Sequence, residues 1–335
     1  MAFAPYQILT AGSQTLADLY APIREDLQRV ERVFDAELLS DHPFVNDLCA
    51  RVRRYRGKML RPALLLLSGR ACGELCDAHH TLAAVVEMVH VSTLVHDDVL
   101  DQADIRRRQD TVNALHGNEI AVLLGDYLIS HAYHLCSSLG DGYAARAIAA
   151  TTNTVCEGEL LQVHHRSNLH LTEPEYLNII RSKTAALTGT CCALGARYAR
   201  ADDDIIETLR EFGVAAGMAF QVVDDLLDLL GDPDRIGKTL GRDLALGEPT
   251  LPIIHCLAHG AAPLRRELSD ALTRRTDPTG SHIADMLDET GSIDYARAQA
   301  RRFVQTALEQ LESLDESPAR ACLVGMAEFI LGRPF

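Results

Sequence analysis

Two acidic clusters of one form, Asp97-Asp98-Val99-Leu100-Asp101 and Asp224-Asp225-Leu226-Leu227-Asp228, interrupt apolar runs of helical period. In each, the first and last Asp stand four residues apart, so a helix puts both on one face, about 6 Å apart along its axis. Bare carboxylates at that spacing repel one another and weaken the helix. Their neighbours belong in a core: Leu94, Val95, Val99 and Leu100 around the first cluster, Val222, Val223, Leu226 and Leu227 around the second. Buried carboxylates must be paired or hold a metal. One such cluster in an acidic helical chain reads as a solvated face or a cap. Two, each embedded in apolar sequence and followed by basic residues, point to sites for a hard cation. Mg2+ takes a few carboxylates together with substrate phosphate oxygens.

The helical period holds elsewhere. Leu16, Leu19, Ile23, Leu27 and Val30 make an early stripe, and Val304, Leu308 and Leu311 a late one. Pro62 fits the first turn of a helix running through Leu64 to Leu67 and ending near Gly73. Thr172-Glu173-Pro174-Glu175 reads as a capping box opening a helix through Tyr176, Ile179 and Ile180. Gly231-Asp232-Pro233-Asp234 ends the helix of the second acidic cluster, and Gly247 to Pro252 is a further break. No strand alternation, low-complexity linker or Pro-rich hinge competes with this pattern. It predicts roughly a dozen helices in an all-α fold, a single domain over residues 1–335. The hydrophobic fraction of 47% and charged fraction of 24% are those of a globular protein with an ample core.

A net charge of -15 argues against nucleic acid as partner, since duplex binding needs a basic surface. No apolar run approaches the ~20 residues of a membrane span, and no basic amphipathic helix offers a stable membrane anchor. The opening MAFAPYQILTAG lacks a basic segment followed by an apolar core, so no secretory signal is expected. Nine cysteines without a CxxC pair predict reduced thiols in the cytoplasm. Cys191-Cys192, Cys72 and Cys76 read as small core residues. His164-His165 cannot share a helix face, because adjacent residues point about 100° apart, so a solvated or loop pair is expected.

Against this acidity the basic residues gather. Arg51, Arg53, Arg54, Arg56, Lys58 and Arg61 fall just before an apolar helix, and Arg106, Arg107 and Arg108 follow the first acidic cluster. Gly57-Lys58 and Arg61-Pro62 put a turn and two cations at a helix start. Arg suits phosphate by its bidentate fork and Lys as a point charge. Metal-binding carboxylates with Arg and Lys clamps predict a substrate that carries diphosphate.

Taken in order, RGKMLRP (56–62), EMVH (87–90), HDDVLDQADIRRR (96–108), GDYL (125–128), EGELLQ (157–162), SKTAAL (182–187), FQVVDDLLD (220–228), GKTLGRDL (237–244) and GEPTLP (247–252) resemble the trans-isoprenyl diphosphate synthases, the polyprenyl synthetase family, and most of all its long-chain members. The resemblance runs from about Leu27 to Ile330. It implies a helical bundle of the isoprenoid synthase type with a deep central cavity, usually homodimeric, with the two acidic helices facing across its mouth. The implied reaction joins isopentenyl diphosphate head to tail with an allylic prenyl diphosphate. Mg2+ would sit on Asp97, Asp101 and Asp224, while Asp225 and Asp228 would bind metal-bound water or orient Asp224. The resemblance gives isopentenyl diphosphate to Lys58, Arg61, His90 and Arg107, the allylic diphosphate to Arg106 and Lys238, and the reacting centre to Lys183, Thr184 and Gln221. His96 would orient rather than react.

Some residues depart from the family pattern: Arg56-Gly57-Lys58 where Gly-Gly-Lys is frequent, Arg108 where Gly follows two Arg, and Glu248 where Lys precedes Pro-Thr-Leu-Pro. In this family a bulky aromatic four or five residues before the first Asp floors the product tunnel. Here those positions are Ser92 and Thr93, with Met88 and Val85 lower down and Tyr127 and Tyr133 as candidate floors from a neighbouring helix. Small residues there predict a product longer than farnesyl. A class I terpene cyclase would lack Lys58, Arg61 and His90 and have an aromatic-rich cavity. A non-catalytic subunit of a heteromeric synthase would show eroded acidic motifs. A purely structural helical protein would leave both acidic clusters unexplained.

Overall fold

Apolar residues at spacings of three and four fold into helices along nearly all of the chain. The computed structural model describes residues 15–55, 57–106, 109–231, 241–274 and 281–333. The first half holds α1 (Leu16–Leu19), α2 (Arg24–Glu37), α3 (Pro43–Tyr55), α4 (Leu60–Cys72), α5 (Asp77–Leu100), α6 (Val112–His116), α7 (Asn118–Ser137) and α8 (Tyr143–His164). The second holds α9 (Glu173–Ile180), α10 (Ala186–Tyr198), α11 (Asp203–Leu230), α12 (Arg242–Leu246) and α13 (Leu251–His259). It closes with α14 (Ala262–Arg274), α15 (Ser281–Glu289), α16 (Ser292–Leu311) and α17 (Pro318–Leu331). The all-α expectation holds, with one small exception. Beyond the first acidic cluster the chain forms a two-residue antiparallel hairpin, β1 (Ile105–Arg106) with β2 (Gln109–Asp110).

Punctuation in the sequence set these bounds. Pro62 lies in the first turn of α4, which stops before Gly73. Thr172 and Glu175 cap each other at the start of α9. Gly247 in the left-handed region ends α12. The 232–234 part of the expected break lies outside the described residues.

The long α5 is buried on most sides from Leu82 to Val91, as a central helix must be. It packs against α2, α4, α7 and α10, while α11 packs against α10, α16 and α17. Thus α10 joins the two helices that carry the acidic clusters. Small residues on the packed helices allow these approaches. A Cβ on Gly195 of α10 would land on the carbonyl oxygen of Leu65 in α4, and one on Gly213 of α11 would meet the Thr188 carbonyl of α10 at 2.5 Å. No described helix is long and apolar enough to cross a membrane.

Candidate active site

Both acidic clusters lie near the C-terminal ends of their helices, where the helix dipole is already negative and neither helix has a basic residue in its last turn. The fold therefore collects negative charge in one place. Between α5 and α11 opens a cavity of about 840 Å³. From α5 it is lined by Glu87, His90, Thr93, Leu94, Asp97 and Asp101, and from α11 by Phe220, Gln221, Asp224, Asp225 and Asp228. Gly57, Lys58 and Arg61 close one side, and Lys183 and Thr184 another.

On the first bank, Asp98 turns away from the cavity. It is fully buried, takes a hydrogen bond from the Tyr55 hydroxyl at 2.9 Å and pairs with Arg106 Nε at 2.7 Å. Asp101 pairs with Arg166 at 3.0 Å and Arg242 at 3.6 Å. Arg166 in turn pairs with Glu248 at 2.8 Å, and Gln162 also donates to Glu248. The Asp97 carboxylate has no side-chain hydrogen bond or ion pair among the described residues, and desolvation pushes its pKa up against the pull of Lys183. Lys183 forms an ion pair with Glu159 at 2.9 Å. Burial works to lower the Lys183 pKa, but Asp97 and Glu159 overcome it and raise it. Desolvation also raises Glu159, to about 7.

Lys183 and Thr184 sit in a π-helical turn, Arg181–Ala185, between α9 and α10. Such turns are rare and cluster at functional sites. Gly158 of α8 makes room for it: a Cβ there would come within 2.6 Å of the Lys183 backbone nitrogen.

On the second bank a relay of hydrogen bonds orients the carboxylates. The Thr184 hydroxyl donates to Gln221 Oε1 and Gln221 Nε2 donates to Asp225 Oδ1, both at 2.7 Å. The buried Tyr176 hydroxyl donates to the other oxygen, Asp225 Oδ2, at 2.6 Å. Desolvation pushes Asp225 up to about 7 against these bonds. Asp228 accepts from the Asp243 backbone N–H at 3.0 Å, and Asp224 pairs with Arg333 at 3.0 Å.

This donor set fits a divalent hard cation. All its atoms are carboxylate oxygens, and Asp97 presents a desolvated carboxylate with no direct side-chain partner among the described residues.

Arg61 is enclosed beside Glu87 and Cys191, so burial lowers its pKa, and its Nε makes no hydrogen bond among the described residues. The Lys58 ammonium lies 5.6 Å from the Phe329 ring centre.

The structure thus brings Lys58, Arg61, His90, Thr93, Asp97, Asp101, Arg106, Lys183, Thr184, Gln221, Asp224, Asp225 and Asp228 to one cavity. Arg107 and Lys238 lie outside the described residues. Ser92 and Met88 are fully buried and are not among the residues that line the cavity. The Ser92 hydroxyl donates to the Gly125 carbonyl on α7 at 2.9 Å. His96 likewise faces α7, 3.1 Å from the Val122 carbonyl. His165 lines the cavity, and Cys76 is exposed rather than in the core.

Sequence reasoning assigned no role to Glu159, Arg166, Tyr176, Arg242 or Arg333. Glu159 and Arg242 lie inside family motifs, EGELLQ and GKTLGRDL. Tyr176 and Arg166 carry no local signal, because their partners are on other helices.

The model of the Polyprenyl synthetase family matches residues 42–289. Octaprenyl diphosphate synthase of Escherichia coli (strain K12) is 33% identical over 313 residues, covering 92% of this chain and 96% of that protein. The all-trans-nonaprenyl-diphosphate synthase (geranyl-diphosphate specific) of Rhodobacter capsulatus is 35% identical over 322 residues, covering 94% and 97%. The crystal structure of a polyprenyl synthase from Caulobacter crescentus CB15, complexed with calcium and isoprenyl diphosphate, superposes with a TM-score of 0.91. It is 29% identical, and the match covers 97% of this chain and 99% of that one. With two acidic banks, a cationic wall and a shared helical frame, this chain belongs to the polyprenyl synthetase family of prenyltransferases.

Proposed function

We propose that this chain, as a single polyprenyl synthetase domain and a homodimer, condenses isopentenyl diphosphate head to tail with an allylic prenyl diphosphate, with Mg2+ as cofactor. The product is a trans-polyprenyl diphosphate longer than farnesyl. The observation that carries this reading is the meeting of both acidic banks with Lys58 and Arg61 in one cavity.

Asp97, Asp101 and Asp224 would hold the metal; Arg166 and Arg242 orient Asp101, Arg333 pairs with Asp224, and Tyr176 fixes Asp225 beside it. When bound, the cation offsets the charge that grows on the departing diphosphate. Arg106 and Lys238 add positive charge to that same diphosphate. The allylic C–O bond breaks and its electron pair leaves with the diphosphate, giving an allylic cation. Lys58, Arg61, His90 and Arg107 hold isopentenyl diphosphate so that its double-bond electrons form the new C–C bond. Loss of a proton from the adjacent carbon to released pyrophosphate restores an alkene. The oxygen dipoles of Thr184 and Gln221 lower the cost of the cation, and Lys183 holds Glu159 nearby. Nine cysteines without a disulfide support a reducing compartment, the cytoplasm.

Purified protein incubated with Mg2+, isopentenyl diphosphate and each of dimethylallyl, geranyl and farnesyl diphosphates tests this by product mass. A ladder ending at one dominant length above farnesyl is expected. Farnesyl-length product would refute the length, cyclised hydrocarbon would indicate a terpene cyclase, and no condensation would indicate a non-catalytic subunit. The cyclase has less support, since among the described residues Tyr176, Phe220 and Phe329 are the only Phe or Tyr lining the cavity.

A further inference from the structure

Away from the cavity, the C-terminal end of α2 meets the last turns of α7. There Glu37, the final residue of α2, receives Nδ1 of both His131 and His134 on one oxygen, Oε1, at 2.8 Å each. The two histidines are three apart on α7 and so share a face. Among the described residues, this is the one group of three His, Cys, Asp or Glu side chains whose donor atoms all lie within 4.8 Å of one another.

The electrostatics call for a cation. The Glu37 side chain is 14% exposed and pairs with no Lys or Arg among the described residues. It lies at the negative end of one helix dipole, and His134 lies in the last turn of another. Each helix end carries about half a negative charge. A divalent ion bound there offsets that charge.

We propose that Glu37, His131 and His134 form a transition-metal site, fit for Zn2+, that clips the end of α2 to α7. Two imidazoles and one carboxylate suit Zn2+ better than Mg2+, which prefers oxygen ligands and keeps its water. Tetrahedral Zn2+ with bonds of about 2.0–2.2 Å separates its donors by about 3.3 Å. Tetrahedral geometry needs the two 2.8 Å contacts to open by about half an ångström and the two imidazole nitrogens, within 4.8 Å of each other, to reach a matching separation, which His134, whose side chain is 73% exposed, can rotate to allow. The Tyr127 ring, 4.3 Å from that of His131, holds the inner ligand in place. The exposed side leaves the fourth position to water.

The site is independent of the prenyl-transfer reading and is tested separately from it. The full-length enzyme in excess Mg2+ is titrated with Zn2+ by calorimetry and with Co2+ as a spectroscopic probe. One Zn2+ per chain that Mg2+ does not displace is expected, with the strong visible band of tetrahedral Co2+. His131→Ala and His134→Ala each lose both signals, and His134→Ala retains wild-type helicity by circular dichroism. No Zn2+ uptake by the wild type under excess Mg2+ overturns the proposal, as does an unchanged equivalent in both variants. Should a variant fail to fold, the wild-type Co2+ spectrum decides alone: a weak all-oxygen octahedral spectrum overturns the site.

Discussion

Asp225 and Asp224 are neighbours in one motif and sit in different surroundings. Asp224 lines the cavity and pairs with Arg333, whereas Asp225 is buried and held on both oxygens by Tyr176 and Gln221. Tyr176→Phe removes the 2.6 Å bond while keeping the ring, so Asp225 gains freedom to turn. Loss of a hydrogen bond that supports the carboxylates behind the metal ligands costs about 10–100-fold in metal affinity or activity. The expected outcome is a raised Mg2+ requirement in prenyl transfer, with about 1–3 kcal/mol of stability lost from the unsatisfied buried oxygen. An unchanged Mg2+ titration would refute the orienting role. The residues five and four positions before Asp97 make a second contrast. Thr93 lines the cavity, and Ser92 is buried against Gly125. Thr93→Tyr is expected to shorten the product, read by mass. Ser92→Tyr overpacks the α5–α7 contact and costs about 1–3 kcal/mol, read by urea unfolding. Shortening by Ser92→Tyr alone would mean that the tail runs between α5 and α7. At this scale the acidic residues were legible, because charge inside an apolar period is conspicuous. Tyr176, Glu159 and Arg166 were not, since each acts on a charged group far away in the sequence: Asp225, Lys183 and Asp101.

Helices with local punctuation were legible in their bounds, as α4 with Pro62 and Gly73 and α9 with its capping box show. The hairpin at Ile105–Asp110 and the π-helical turn at Lys183 were not. A two-residue strand has no alternation to read, and the turn rests on the close approach of Gly158 across the fold. The start of α5 depends on a similar long-range contact. His79 is fully buried, accepts from the Cys76 backbone N–H on Nδ1 at 3.0 Å, and meets the Gly195 carbonyl with Nε2 at 3.0 Å. That pattern needs a neutral ring with its proton on Nε2, and burial lowers the His79 pKa. The unfolded chain, with an imidazole near 6.5, then binds the proton more readily than the folded one. Stability from this group is therefore complete above about pH 6.5 and is lost as pH falls below it. The urea midpoint of the wild type is expected to fall between about pH 7.5 and 5.5 more steeply than that of His79→Asn. Parallel slopes would show that His79 does not titrate on unfolding.

The bundle leaves a set of large apolar side chains on its outer surface. Leu123 is 63% exposed and Val122 41% on α7, Leu160 is 71% exposed on α8, and Leu115 is 42% exposed on α6. Fully burying one such side chain is worth about 1.5–3 kcal/mol. Several on adjoining helices therefore favour a second copy of the chain as cover. The sequence held no sign of this face, since the leucines of α7 and α8 follow the same period as those of the core, and exposure emerges only when the helices are packed. α7 also packs along α5, which carries Asp97 and Asp101, so a dimer closed over α7 would stiffen the first bank from behind. The wild-type protein is expected to sediment at twice the chain mass of 36.7 kDa. Leu123→Glu puts a charge into the interface and should shift the protein toward the single-chain mass, with a fall in prenyl transfer at low protein concentration that recovers as concentration rises. A wild-type protein that sediments as one chain would rule out the dimer. A Leu123→Glu protein that keeps the doubled mass would move the interface to another face of the bundle.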